Sequence, residues 1–154
     1  MQQSTPIADL ILQLKVPLFG ALGPDDLAAI VPLIQRRSFA PDERVFSKGD
    51  RAEELFIILS GHMKISAVAP DGRELSFRTA GAGEIVGEIA VLDGGLRAAN
   101  LTSLDHSETL TIGKISFARL MAERPTISQV LIQFLCHRLR TTSELLENVA
   151  LHTH

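Results

Sequence analysis

The sequence predicts a mainly β domain with flanking α-helices, and three observations support this. Runs of strand length, rich in β-branched residues and phenylalanine, fill the region from Arg36 to about Gly113. Turn clusters separate them: "SKGD", "LSG", "APDG", "GAG" and "LDGG". Helical periodicity is confined to the two ends. Many short strands at regular spacing indicate a closed or rolled all-β sandwich.

The elements follow in order. Ile7, Leu10, Ile11 and Leu14 share one helical face, and Pro17 is expected to stop that helix. In "GPDDLAAIVPLI", Pro24 holds a favourable first helical position, with Asp25 and Asp26 in the positively polarised first turn. Leu27, Ile30, Val31 and Ile34 would form the buried stripe of this second helix. The strand runs are "ERVF", "LFIIL", "MKISAV", "ELSFRT", "NLTSL" and "ETLTI". The "PDG" of Pro70 to Gly72 is a hairpin turn between two alternating strands.

Beyond the strands, Ser116 is expected to cap a short helix, "FARLMAER", which Pro125 separates from a longer one. The longer segment places Ile132, Leu135, Leu139, Thr142, Leu146 and Val149 at alternating spacings of three and four, a coiled-coil-like seam. Val130, Leu131 and Phe134 mark another face for packing on the roll. The seam predicts a homodimer; the competing reading is a helix that packs only on its own barrel. The chain thus divides into a β-roll with N-terminal helices, residues 1–124, and a C-terminal dimerisation helix, residues 125–154.

Composition narrows the function. The chain has 154 residues, 45% hydrophobic and 21% charged, ordinary values for a globular protein with a real core. A net charge of −3 gives no basic excess for DNA or an acidic membrane. The single cysteine, Cys136, excludes a disulfide framework or a site built from several thiolates within one chain, and fits a reducing compartment. It is expected to be a small buried filler. The N-terminal stretch lacks a basic region and a cleavage site, and apolar runs such as "FIIL" are too short to span a bilayer. A cytoplasmic protein is expected.

The stretch "GEIAVLDGGLRAANL", Gly87 to Leu101, sets one acid and one base in a mostly apolar and glycine segment. Arginine is always charged, and its planar fork matches phosphate oxygens in a bidentate pair. Backbone amides at the start of a short helix, as at "EIAVL", add donors for the same anion. Gly87, Ala98 and Ala99 lack bulk, so the backbone there can approach a ligand closely. Glu88 cannot favour a phosphate directly, but it can accept hydrogen bonds from a sugar hydroxyl. A sugar-phosphate site and a Glu88–Arg97 ion pair closing a loop are both open on residue types alone.

Gly87, Glu88, Ile89, Ala90 and then Arg97, Ala98, Ala99 resemble the phosphate-binding cassette of cyclic nucleotide-binding domains, without a gap. The order of segments is also similar: N-terminal helices, a β-roll containing the cassette, then a long helix. Within that superfamily the likeness is to bacterial regulators of the Crp/Fnr type, including the cyclic AMP receptor proteins. The resemblance implies a double-stranded β-helix (jelly-roll). It implies that Arg97 pairs with the cyclic phosphate, Glu88 accepts from the ribose 2′-hydroxyl, and amides near Ala90 and Ala98 assist. The C-terminal "HRLRTTSELLENVAL" is similar to the family's dimerisation helix, so Thr142 and Ser143 fall on its base-contacting Thr-Ser, the serine reaching across from the partner subunit. Thr142 also interrupts an apolar seam, where a polar side chain costs stability unless it has a partner.

Two departures matter. Leu96 stands where many relatives carry proline. Asn100 stands where threonine or serine is common and, in some members, associated with guanine selectivity; Asn100 can still donate a hydrogen bond. Cyclic AMP is the leading ligand, with cyclic GMP the alternative.

Members of this regulator type continue into a helix-turn-helix domain. This sequence stops at "NVALHTH", so DNA would be reached only through a domain absent from it. A trimmed sensor domain is expected, with a stand-alone module or a sensor of another anionic effector as the alternatives. An enzyme is not expected. His62 and His106 do not form the His-x-His pair of metal-holding cupin barrels, and His152 and His154 do so only at the chain end, where fraying and weak adventitious metal binding are usual.

Overall fold

The computed structural model describes residues 6–14 and 17–151, and the run "LFIIL" explains its architecture. That run lies in β3 (Glu54–Ser60), with every residue from Leu55 to Leu59 buried. Successive side chains of a strand point to opposite faces, so an unbroken apolar run needs cover on both. Phe56 and Ile58 join one hydrophobic cluster, while Leu55, Ile57 and Leu59 join another. Each fully buried side chain of this size contributes about 1.5–3 kcal/mol relative to exposure.

Two four-stranded sheets supply the cover. The first has the order β1 (Ile34–Phe39), β8 (Ser107–Gly113), β3, β6 (Ile85–Val86). The second runs β2 (Arg44–Phe46), β7 (Asn100–Ser103), β4 (Met63–Val68), β5 (Glu74–Ala80). Neighbouring strands are antiparallel throughout. Met63, Ala80 and Leu101 of the second sheet meet Phe39, Phe56, Ile58 and Val86 of the first inside the roll. Most strands adjacent in space are distant in sequence, as in a sheet rolled on itself. The fold is the expected jelly-roll.

Helices cover the other face of β3. They are α1 (Ile7–Leu14), α2 (Pro17–Gly20), α3 (Pro24–Ile30), α4 (Glu88–Asp93), α5 (Lys114–Glu123) and α6 (Pro125–Leu151). Ile11, Phe19, Ile30, Val91, Phe117 and Leu131 pack with Ile57 and Leu110 in this second cluster. Asp26 on α3 accepts hydrogen bonds from Arg124 Nε and Thr126 Oγ1, both at 2.7 Å, and so ties α3 to the bend between α5 and α6. The Thr126 hydroxyl, then the Arg124 guanidinium, hold the Asp26 carboxyl below the usual carboxylate range.

Several local expectations are corrected. α1 does end ahead of Pro17, at Leu14, and Pro17 itself opens a further short helix, α2, that the sequence reading did not include, a role favoured by its fixed φ. The stripe assigned to α3 is interrupted: residues Val31–Leu33 form one 3-10 turn, and Ile34 is buried at the start of β1 instead. The chain position of β1 was missed because only its ends, Ile34 and Phe39, are buried, leaving no alternation to read. α5 starts at Lys114 with Gly113 as its N-cap and no side-chain cap bond, so Ser116 lies inside the helix.

α6 does carry two faces. Ile127 and Leu131 are buried, with Val130, Phe134 and Leu135 packed beside them, so Leu135 belongs partly to the core side. Ile132, Leu139 and Leu146 are each at least 60% exposed. Cys136 is exposed, not a buried filler. It falls on the outer side of α6 near Ile132 and Leu139. The side chain of Val149, and His152 and His154, lie outside the described residues.

Candidate functional site

The cassette begins where β6 ends. Gly87 adopts φ +78°, a left-handed conformation that glycine takes without strain. Its carbonyl accepts a hydrogen bond from Arg97 Nη1 at 2.7 Å. A Cβ on residue 87 would stand 2.6 Å from that same nitrogen. Glycine is therefore required twice over, by its dihedral and by the approach of the arginine.

α4 then runs to Asp93, and Gly94, at φ +74°, caps it. The segment that follows is pinned from outside. Arg97 N donates to Asp50 O at 2.8 Å, and Arg97 O accepts from Gly49 N at 2.9 Å. Asn100 Oδ1 accepts from Lys48 N at 2.7 Å, fastening the same turn. The oxygen of this amide is thus engaged with the turn. These bonds hold the segment that follows Leu96.

Arg97 is only 4% exposed. Its guanidinium carbon lies 4.0 Å from the Phe46 ring centroid, and Nη2 donates to Glu54 O. Nε is buried with no partner among the described residues. Burial lowers the pKa of this guanidinium, opposed by the charges of Asp50, Glu53 and Glu88. The group remains a cation at neutral pH. A buried cation bonded mainly to neutral carbonyls has charge left to offer an anion.

Glu88 is 3% exposed. Its Oε1 accepts from Arg138 Nη1 on α6. The loop-closing Glu88–Arg97 ion pair is therefore not formed; each side chain has its own setting. Both line one cavity of about 230 Å³, together with Gly87, Ile89, Ala90, Ala98, Ala99, Asn100 and Arg138. Ile65 and Arg78 line the same cavity.

Thr142 and Ser143 are not brought into that cavity. Both are exposed on α6. Thr142 Oγ1 donates to Arg138 O at 3.0 Å, so its hydroxyl is satisfied within its own helix. Thr142 instead lines an adjoining groove of about 470 Å³ with Arg78, Glu84, Phe134, His137 and Arg138. Ser143 lines neither space.

Sequence reasoning missed Arg138, Arg78 and Phe46. A signal for Arg138 existed. Ile127, Leu131, Phe134 and Leu135 define the packed face of α6, and position 138 continues their spacing, so a half-buried charge there favours an acidic partner across the contact. Among the described residues no group of His, Cys, Asp and Glu could hold a metal ion, and no helix is long and apolar enough to cross a membrane.

Residues 36–124 match the cyclic nucleotide-binding domain family. The chain is 31% identical over 129 residues to the CRP-like cAMP-activated global transcriptional regulator of Mycobacterium tuberculosis, covering 84% of this chain and 58% of that protein. It thus spans less than two thirds of this curated relative. Its structure is similar to the Thermus thermophilus catabolite activator protein, with a TM-score of 0.75 and 27% identity over 87% of this chain and 63% of that one. The N-terminal domain of a Streptomyces coelicolor transcriptional regulator gives a TM-score of 0.72 and 28% identity, covering 86% of this chain and 93% of that one. With the family match covering more than half its length, the chain belongs to the cyclic nucleotide-binding domains and is similar to CRP-like regulators.

Proposed function

We propose that this chain is the effector-binding domain of a Crp/Fnr-type transcription regulator, taking a cyclic nucleotide, cyclic AMP first, in the Arg97–Glu88 cavity. The observation that carries this reading is the buried Arg97 guanidinium, with its unpaired Nε, lining a cavity that Glu88 also lines. A cyclic phosphate supplies the missing anion, and charge-assisted bonds to it replace weaker ones to carbonyls. The ribose 2′-hydroxyl donates to Glu88. Backbone amides near Ala90 and Ala98 complete the phosphate pocket. A relative named as cAMP-activated supports cyclic AMP as the nucleotide.

The signal leaves through Glu88. Its partner Arg138 sits on α6, so a ribose competing for or adding to that carboxylate changes how α6 is held. Ligand binding then shifts the population between helix arrangements. The arrangement favoured is one that brings Thr142 of one copy and Ser143 of another to the base. Exposed Ile132, Leu139 and Leu146 support a homodimer through α6. The relay continues to a DNA-binding domain beyond this segment, in the cytoplasm; the role is sensing, not catalysis.

A thermal melt tests the proposal. Saturating cyclic AMP, at about 100 times its dissociation constant, should add about 2.7 kcal/mol to stability and raise Tm. An unchanged Tm with millimolar cyclic AMP and cyclic GMP contradicts it.

A further inference from the structure

We infer that Phe46 is a positioning residue for Arg97: its ring holds the guanidinium in place for the phosphate without neutralising it. This role rests on the reading that the cavity takes a cyclic nucleotide. Phe46 ends β2, where one residue is extra against β7: Arg44 pairs with Thr102, and Phe46 with the adjacent Leu101. Such a bulge re-aims the side chains of its strand. Leu101 is fully buried inside the roll, and Phe46 packs against the same cluster while lining the cassette cavity. The Phe46 ring lies 6.0 Å from that of Phe56, which is 1% exposed and 6.0 Å from Phe39. The core therefore backs the ring that meets the arginine.

Three contacts fix the guanidinium. Its central carbon stands 4.0 Å from the Phe46 centroid, Nη1 donates to Gly87 O, and Nη2 donates to Glu54 O. The two carbonyls take two of its five N–H donors. The ring attracts the cation through its quadrupole and takes none. Nε stays without a partner among the described residues. A Cβ on residue 87 would stand 3.2 Å from the Phe46 ring as well as 2.6 Å from Nη1, so ring, arginine and glycine are one close-packed unit.

The choice of an aromatic residue has a physical consequence. A carboxylate in the place of Phe46 would hold the arginine by charge and compete with an anionic ligand for it. An aliphatic side chain would fill the space and leave the cation free to tilt. The ring restrains the guanidinium and leaves both its charge and its spare donors for the phosphate. Preorganisation of this kind lowers the ordering cost of binding.

The test is isothermal titration of the full chain with cyclic AMP and cyclic GMP, for wild type, Phe46→Leu, Phe46→Met and Phe46→Tyr, each checked for its fold by circular dichroism and melting. Leu and Met fill the space without a ring, and each should raise Kd about tenfold, by the same factor for both nucleotides, which share the phosphate. Tyr keeps the ring face and should stay within about threefold of wild type. On an Arg97→Leu background, Phe46→Leu should cost no further affinity, because no guanidinium is left to position. Additive losses in that cycle, as a residue that only shapes the cavity gives, overturn the proposal, and so does a Tyr variant as weak as Leu. A readout on the wild type needs no variant at residue 46: the Arg97 Nε proton, assigned by its loss in Arg97→Leu, should resonate upfield of an exposed arginine under the ring current of Phe46. A proton at the exposed position overturns the stack. If wild type binds and Phe46→Leu binds equally well, only the role of Phe46 fails. If wild type binds neither nucleotide, the reading of the pocket fails with it.

Discussion

Glu88 on α4 and Arg138 on α6, 50 residues apart in sequence, form an ion pair that joins the cassette to the long helix. The Glu88 side chain is 5% exposed and the Arg138 side chain 38%. Arg138→Ala leaves a buried carboxylate without its cation and should destabilise the fold by about 1–3 kcal/mol. Glu88→Gln keeps an acceptor and should cost less. Urea denaturation of the two variants and their double mutant measures the coupling; additive losses contradict a direct link between α4 and α6.

Gly87→Ala tests the close approach of the arginine. The new methyl group meets Arg97 Nη1 and must also take the left-handed backbone of φ +78°. The dihedral alone costs about 1–2 kcal/mol, and the displaced guanidinium should weaken nucleotide binding as well. Gly94→Ala shares the backbone conformation, at φ +74°, but meets no atom within 4 Å. It should lose stability and keep more of its affinity. Equal binding losses would remove the steric argument at residue 87.

Asp26 sets a pH dependence. Its carboxyl is lowered in the folded state by Thr126 and Arg124, so its contribution is fully present above the unfolded value, about 4. That contribution is lost as pH falls through the lower folded value. The stability gap between wild type and Asp26→Asn should be constant near neutrality and narrow below about pH 4. A gap that widens on acidification contradicts the sign.

The outer face of α6 predicts self-association. Leu139 is 67% exposed between Ile132 and Leu146. Leu139→Glu places a charge on that stripe without touching the core, so sedimentation should show wild-type dimer and variant monomer at micromolar concentration. A wild-type monomer at high micromolar concentration contradicts the dimer.

Much of this was legible in the sequence because the signals were local. The cassette is contiguous, so Gly87, Glu88, Ala90, Arg97 and Ala98 could be grouped from residue type and from their resemblance to the family's cassette, and they share one cavity. The run "LFIIL" read as a strand, and the structure buries it on both faces. What sequence hid was long-range. Nothing near Glu88 in the chain points to Arg138, and nothing near Arg97 points to Phe46 or to the carbonyl of Glu54. β1 went unseen because four polar residues separate its two buried ends. Thr142 interrupts an apolar pattern, but an intrahelical bond to Arg138 O satisfies it without a ligand.

Every step of the functional account passes through the Arg97 guanidinium, and calorimetric titration of cyclic AMP and cyclic GMP into wild type and Arg97→Leu tests it most directly. With charge-assisted bonds contributing roughly 1.5–3 kcal/mol each, the variant should bind about one to two decades or more weakly. Equal heats and equal Kd for the two proteins would contradict the account.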